Sequence, residues 1–212
     1  MFPYIRRSKF IQKFKPLLKP IYSLLSKIFT FVLELIVFIT VKIMKFIFGI
    51  EIINNLIFMA PKFFIKPILK SCRCRIGENT DILTHITITN AITGDYSNLI
   101  IGDGCFVGKG VYLDLVEPIE LKENSTISAR VAILTHEDAG PNNDLRKKYP
   151  RKTGKVIVGN NSWVGVSSTI LCGVNIGDHS IIGASSLVIE DISSFSVAGG
   201  VPAKVIKKIE IN

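Results

Sequence analysis

The chain has 212 residues, nearly half of them hydrophobic, and a formal net charge of +9; that length suits one domain plus an appendage. The charge is unevenly spread: residues 1–75 hold 14 Lys/Arg against Glu34 and Glu51 alone, while residues 76–212 hold 12 Lys/Arg against 15 Asp/Glu. A segment both basic and apolar suits an anionic membrane surface, and without a nucleic-acid motif or an aromatic-studded basic strand after residue 75, nucleic acid is excluded as a partner.

Residues 21–60 read as a long apolar helix. Lys27, Glu34, Lys42 and Lys45 interrupt every run of the about 18 apolar residues that a membrane span needs. At about 100° per residue these four charges fall on one side, together with Ser23 and Thr30. A narrow polar stripe on an apolar helix predicts a helix lying in the membrane interface. Arg6, Arg7, Lys9, Lys13, Lys15 and Lys19 precede it and are expected to meet anionic headgroups. The stretch is too long and too charged for a cleavable signal peptide. The alternative is a helix that packs on the rest of the chain or on its copies in an oligomer. Pro61 and Pro67 are expected to break the helix, dividing a membrane-association segment, 1–70, from a second domain, 71–212.

Cys72, Cys74, Cys105 and Cys172 form neither a CxxC pair nor a zinc spacing, so they read as reduced thiols of a cytoplasmic protein, with no metal.

From residue 76 the period changes to six, the signature of a parallel β-helix. Val158, Val164, Ile170, Ile176, Ile182 and Val188 open successive hexads, and each is β-branched. The same register runs through Leu121, Ile127 and Ile133, through Ile101, Val107 and Leu113, and through Ile76, Ile82 and Ile88. A branched aliphatic every six residues stacks coil on coil as a central column. Small fifth-position residues let each corner close. Second-position glycines (Gly159, Gly165, Gly177, Gly183) are expected to adopt backbone angles forbidden to side chains. Slips of register fall between Leu113 and Leu121 and around Gly94–Asn98, and one long structureless insert at 137–154 follows His136.

The stretches PIELKENSTISARVAILTHED, KVIVGNNSWVGVSSTILCGVNIGDHSIIGASSLVIEDI and VAGGVPAKVIKKI resemble the maltose, galactoside and nodulation-type O-acetyltransferases over about residues 76–209. That resemblance implies a mainly β fold, a left-handed parallel β-helix, preceded here by the helical segment. It also implies a homotrimer, acetyl-CoA as co-substrate, and a sugar or surface-glycan precursor as acceptor.

On this reading His136 is the general base, since an imidazole can take a hydroxyl proton near neutral pH. Asp114, in the slipped hexad LDLVEP, is the candidate that orients its ring. The resemblance maps coenzyme A contacts onto Trp163, Val166, Ala184, Ile189 and Glu190, with Lys204 and Lys207 near the adenosine phosphates. The family's acceptor-binding asparagine and aspartate fall at about Gly108 and Val116 and are absent. A larger acceptor met by the insert, with its Arg146, Lys147, Lys148, Arg151 and Lys152, is expected instead. An N-acyltransferase acting on the amino-sugar of a nucleotide sugar and a non-catalytic trimeric scaffold are the alternatives. A carbonic-anhydrase-like metal site would need clustered histidines, whereas His85, His136 and His179 lie on separate coils. The expected location is the inner face of the cell membrane.

Overall fold

The computed structural model describes residues 9–210. Three helices come first: α1 (Lys9–Phe48), α2 (Ile50–Met59) and α3 (Lys62–Ser71). Gly49, at φ 77°, provides the sharp turn between α1 and α2. Pro61 sits at the N-cap of α3, but Pro67 lies inside that helix and does not end it, contrary to its expected role as a breaker. The buried side of α1 runs through Val41, with Val37 and Met44 half-buried against the core. The polar stripe of Lys27, Glu34 and Lys42 is exposed beside that contact. Most of the remaining apolar surface of α1 is uncovered, including Phe29, Ile36, Ile43 and Phe46. By length and composition, Ser23–Phe48 is apolar enough to cross a membrane as well as to lie on one. Arg6 and Arg7 lie outside the described residues, as do the side chains of Lys9, Lys13, Lys15 and Lys19.

From Arg75 the chain winds through five coils, each contributing one short strand to each of three walls. Wall 1 stacks Arg75–Ile76, Leu99–Ile101, Ile119–Leu121, Val156–Val158 and Asn175–Ile176, all parallel. Wall 2 stacks Asp81–Ile82, Phe106–Val107, Thr126–Ile127, Trp163–Val164, Ile181–Ile182 and Ser196–Gly200, and Ala203–Lys208 folds back on the last of these antiparallel. Wall 3 stacks Thr87–Thr89, Tyr112–Asp114, Ala132–Ile133, Thr169–Ile170 and Leu187–Val188. Each hexad-opening aliphatic from Ile82 to Val188 is buried in the column between the walls. Each such side chain contributes about 1.5–3 kcal/mol.

The second-position glycines act differently from the sequence expectation. None of Gly159, Gly165, Gly177 and Gly183 has positive φ. Gly159, Gly165 and Gly177 are glycine because the next coil is too close: a Cβ on Gly165 would stand 2.6 Å from the backbone nitrogen of Ala184, and one on Gly159 2.6 Å from that of Asp178, whereas one on Gly183 would meet only ordinary contacts at 3.6 Å and beyond. The left-handed angle falls instead at the fourth position, where Asn79, Asn124, Asn161, Ser167, His179 and Ser185 adopt it. His85 takes it too, and the ring of His179 stacks on Phe195 at 4.9 Å. At the fifth position, buried serines close the corners: Ser162 Oγ donates to the Gly177 carbonyl at 2.7 Å and Ser168 Oγ to the Gly183 carbonyl at 2.9 Å.

Helices α2 and α3 cover the open end of the first coil. Between them they touch its strand in every wall, and Ile53, Ile57, Ile65, Ile68 and Leu69 join the central core. Tyr96 Oη donates to Asn54 Oδ1 at 2.8 Å inside this junction. Helix α1 lies outside α2 and α3, so the order of layers is α1, then the α2–α3 lid, then the coils.

Candidate active site

The site is built at the corner where wall 3 turns into wall 1. Asp114 ends the wall 3 strand of the second coil, and His136 leaves the same wall one coil later. Asp114 is buried, at 1% side-chain exposure, while His136 keeps 25%. One carboxylate oxygen, Asp114 Oδ2, lies 2.6 Å from His136 Nδ1. It also accepts from the backbone N–H groups of Thr135 and His136, at 2.9 and 3.1 Å, and from Thr135 Oγ1 at 3.1 Å. The other oxygen accepts from Asn90 Nδ2 at 2.7 Å.

Burial alone would raise the Asp114 pKa, but hydrogen bonds from His136, Asn90 and Thr135 outweigh it and hold the carboxyl below its ordinary value. An ionised carboxylate only accepts, so Nδ1 of His136 bears the proton facing it, and in the neutral ring Nε2 carries the lone pair. That is the tautomer a general base requires. Asn90 was missed in the sequence. It lies outside every hexad opening, and its meeting with Asp114 requires the register between the first two coils.

The insert is not structureless. His136–Glu137 pairs antiparallel with Lys152–Thr153, so the segment rises as a hairpin arm with a 3₁₀ turn at Asp144–Lys147. Thr153 Oγ1 donates to Glu117 at 3.0 Å and ties its base to the same corner. Arg146 and Arg151 both lean toward Asp138, at 3.9 and 4.0 Å, which reduces the free positive charge expected of the loop. A cleft of about 390 Å³ within the arm is lined by Glu137, Asp138, Ala139, Lys148, Tyr149, Pro150 and Lys152.

The residues matched to coenzyme A fall into two groups. Trp163 pairs in register with Ile181, Ile181 with Val197, and Val197 with Lys207, so Trp163 and Lys207 end one line across wall 2. At the usual strand spacing that line spans about 14 Å. Trp163 is half exposed, and its Nε1 donates to Ser128 Oγ at 2.9 Å. Val166 and Ala184 occupy stacked corners at one edge of this wall, where Ser185 N–H donates to the Val166 carbonyl at 2.9 Å. Ile189 and Glu190 instead follow wall 3, on the corner that carries His136 two coils below, and Lys204 reaches Glu190 at 3.3 Å. In a three-walled prism that corner faces away from wall 2. A single chain therefore brings His136 together with Asp114, but not with Trp163.

Among the described residues, no group of three or more His, Cys, Asp or Glu is arranged to hold a metal ion. Cys72, Cys74 and Cys105 are buried thiols, and Cys172 is half-buried one coil above Thr135.

The comparisons agree with this architecture. The family model for the hexapeptide repeat of succinyl-transferase matches residues 98–134 and 155–188. Galactoside O-acetyltransferase of Escherichia coli is 30% identical over 144 residues, 68% of this chain and 68% of its own. A Saccharomyces cerevisiae protein named for acetyl transfer is 36% identical, across 54% of this chain and 59% of its own length. Among solved structures, a maltose O-acetyltransferase from Clostridium difficile superposes with TM-score 0.60 at 26% identity, covering 76% of this chain and 84% of that one. An N-acyltransferase from Bacillus cereus, bound to dTDP and coenzyme A, superposes with TM-score 0.55 at 27% identity, covering 65% and 74%. The chain belongs to the hexapeptide-repeat acetyltransferases. The β-helix, acyl-transfer chemistry and acyl-coenzyme A co-substrate are those of that family.

Proposed function

We propose that the protein transfers acetyl from acetyl-CoA to a hydroxyl of a sugar or surface-glycan precursor, with His136 as general base. The observation that carries this reading is the 2.6 Å contact between Asp114 and His136, which assigns the proton of the neutral ring to Nδ1 and so aims the Nε2 lone pair outward, with the ring partly open to solvent. Nε2 takes the acceptor proton as the oxygen attacks the thioester carbonyl. Backbone N–H groups are the usual stabilisers of the resulting oxyanion. As the C–S bond breaks, the imidazolium returns its proton to the departing thiolate, so no net charge accumulates.

Trp163, Val166 and Ala184 hold the pantetheine in this reading, Ile189 and Glu190 supply a backbone contact, and Lys204 and Lys207 meet the phosphates. The opposed placement of His136 and Trp163 supports a homotrimer in which one copy presents its wall 2 to the histidine corner of the next. The uncovered apolar face of α1 supports attachment to the inner face of the cell membrane.

A second reading is acyl transfer to an amine of a nucleotide-linked sugar. It is favoured by the likeness to the Bacillus cereus N-acyltransferase. The deciding experiment measures coenzyme A release with a thiol reagent across soluble glycans and amino-sugar nucleotides. Faster release with hydroxyl acceptors than with amines supports O-acetylation. Equal release from His136→Ala and the parent would remove the mechanism.

A further inference from the structure

The lysines assigned to the coenzyme A phosphates lie beyond the fifth coil, so in the acetyl-transfer reading the cofactor approaches His136 from the carboxy-terminal side. The acceptor must then arrive from the other side, along the same corner over the first two coils. That stretch is short: two strand spacings, about 10 Å, separate the third coil from the first. Its surface carries exposed Asn90, Ile92 and Thr93, and it leads to the lid helices.

At its foot, Tyr96 N–H donates to the Cys72 carbonyl at 2.7 Å, and Arg73 reaches Asp95 at 3.4 Å. Four cations surround this junction. On α1, Lys42 holds its Nζ 5.3 Å from the ring centre of Phe38, and the burial that pushes the Cys72 thiol up to about 11 is opposed by the charges of Lys45 and Lys42. Lys45 also acts on Asp95. Lys70 and Arg73 are exposed at the end of α3. Against their charge stand Asp95, bound to Arg73, and Glu51, which accepts from Asn54 beside Tyr96, so a net positive charge remains.

Directly below, a groove of about 320 Å³ runs between α1 and α3. Phe31, Leu35 and Phe38 form its apolar stripe on α1, Pro67 its floor on α3, and Glu34 and Lys70 are its charged members. An apolar groove opening on a cationic junction, which in turn leads to the catalytic corner, matches in order an alkyl chain, a phosphate and a sugar.

We propose that the acceptor saccharide is carried on a lipid phosphate: the chain enters the α1–α3 groove, the phosphate sits among Lys42, Lys45, Lys70 and Arg73, and the sugar reaches His136 past Asn90. This rests on the acetyl-transfer reading above, and names the form in which its acceptor is presented.

The test uses the full chain in flotation with three sets of phosphatidylcholine vesicles: undoped, doped with polyprenyl phosphate, or doped with phosphatidylglycerol at matched surface charge. Recovery with polyprenyl phosphate is expected to exceed that with phosphatidylglycerol roughly tenfold, equivalent to about 1.4 kcal/mol. Lys70→Gln with Arg73→Gln should abolish that excess, and Lys70→Arg should keep it. The excess should also survive millimolar inorganic phosphate. Equal recovery from the two doped vesicles would overturn the proposal in favour of a general anionic surface, and loss of the excess to inorganic phosphate would overturn it in favour of a free phosphate ligand. Acetyl-CoA binding is measured in parallel by calorimetry. Binding without vesicle preference defeats this inference alone, whereas no binding defeats the acetyl-transfer reading and this inference with it.

Discussion

Asn90 and Asp114 meet across the first two coils, 2.7 Å apart, and through that contact a residue 46 positions before His136 helps to set the state of its ring. The carboxylate is thus gripped from both sides, by a neutral amide on one oxygen and by the imidazole on the other. Replacing Asn90 by Asp changes almost no volume but puts a second carboxylate against the first. Like charges this close cannot both ionise readily. The Asn90→Asp variant should lose rate as the pH falls through a higher range than the parent does, with little change in KM for acetyl-CoA. Superimposable pH–rate profiles would deny Asn90 any positioning role.

His136→Ala should lower kcat by about 10²–10⁴-fold, the usual contribution of a placed general base. Asp114→Asn keeps the shape but offers an amide to Nδ1 and disfavours the productive tautomer. It should cost a comparable factor, and the two losses should not add, because both act through one proton transfer. Single-turnover measurement of coenzyme A release in the two single variants and the double variant decides this.

Asp114 also makes stability depend on pH. Its folded carboxyl titrates below the ordinary value of 3.8, so the unfolded chain binds its proton first as the pH falls. The associated stabilisation is complete above about pH 5 and fades as the pH drops below 3.8 toward the folded pKa. The gap in Tm between the parent and Asp114→Asn should therefore narrow on acidification from pH 6 to pH 3. A gap that widens would reverse the assigned sign.

Gly165→Ala should destabilise by about 1–3 kcal/mol, since its new methyl group meets the main chain of the next coil. Asn161→Gly removes a side chain from a residue already at φ 54° and should shift stability by no more than about 1 kcal/mol. Urea denaturation of the two variants separates close coil approach from backbone angle as the reason for glycine.

Lys207→Ala and Trp163→Ala should raise KM for acetyl-CoA, each by roughly tenfold if about 1.4 kcal/mol of binding is lost, with smaller effects on kcat. Ile36→Asp with Ile43→Asp adds charge to exposed positions of α1 and should move the protein from the membrane to the soluble fraction while leaving acetyl-CoA binding intact.

The coil column was legible in the sequence because one rule repeats: every sixth residue faces inward, and burial selects a branched aliphatic there. The His136–Asp114 corner was legible for the opposite reason, since both residues stand where that rule is interrupted. What the pattern does not encode is the distance between coils. Gly165 looks alike whether it is needed for its backbone angle or for its missing Cβ, and only the position of Ala184 separates the two. Asn90 and the α2–α3 lid were hidden for a related reason. Asn90 meets Asp114 24 residues on and Asn54 of α2 meets Tyr96 42 residues on, separations that local periodicity cannot count, and Pro67 looks the same inside a helix as beyond its end.

The lid has a further consequence for solubility. The first strands, Arg75–Ile76, Asp81–Ile82 and Thr87–Thr89, each pair on one side only, which would leave three parallel edges ready to receive another chain. Helices α2 and α3 stop that growth. A fragment beginning at residue 75 would expose this end as a template, and its characteristic failure would be fibre formation by end-on stacking rather than simple unfolding.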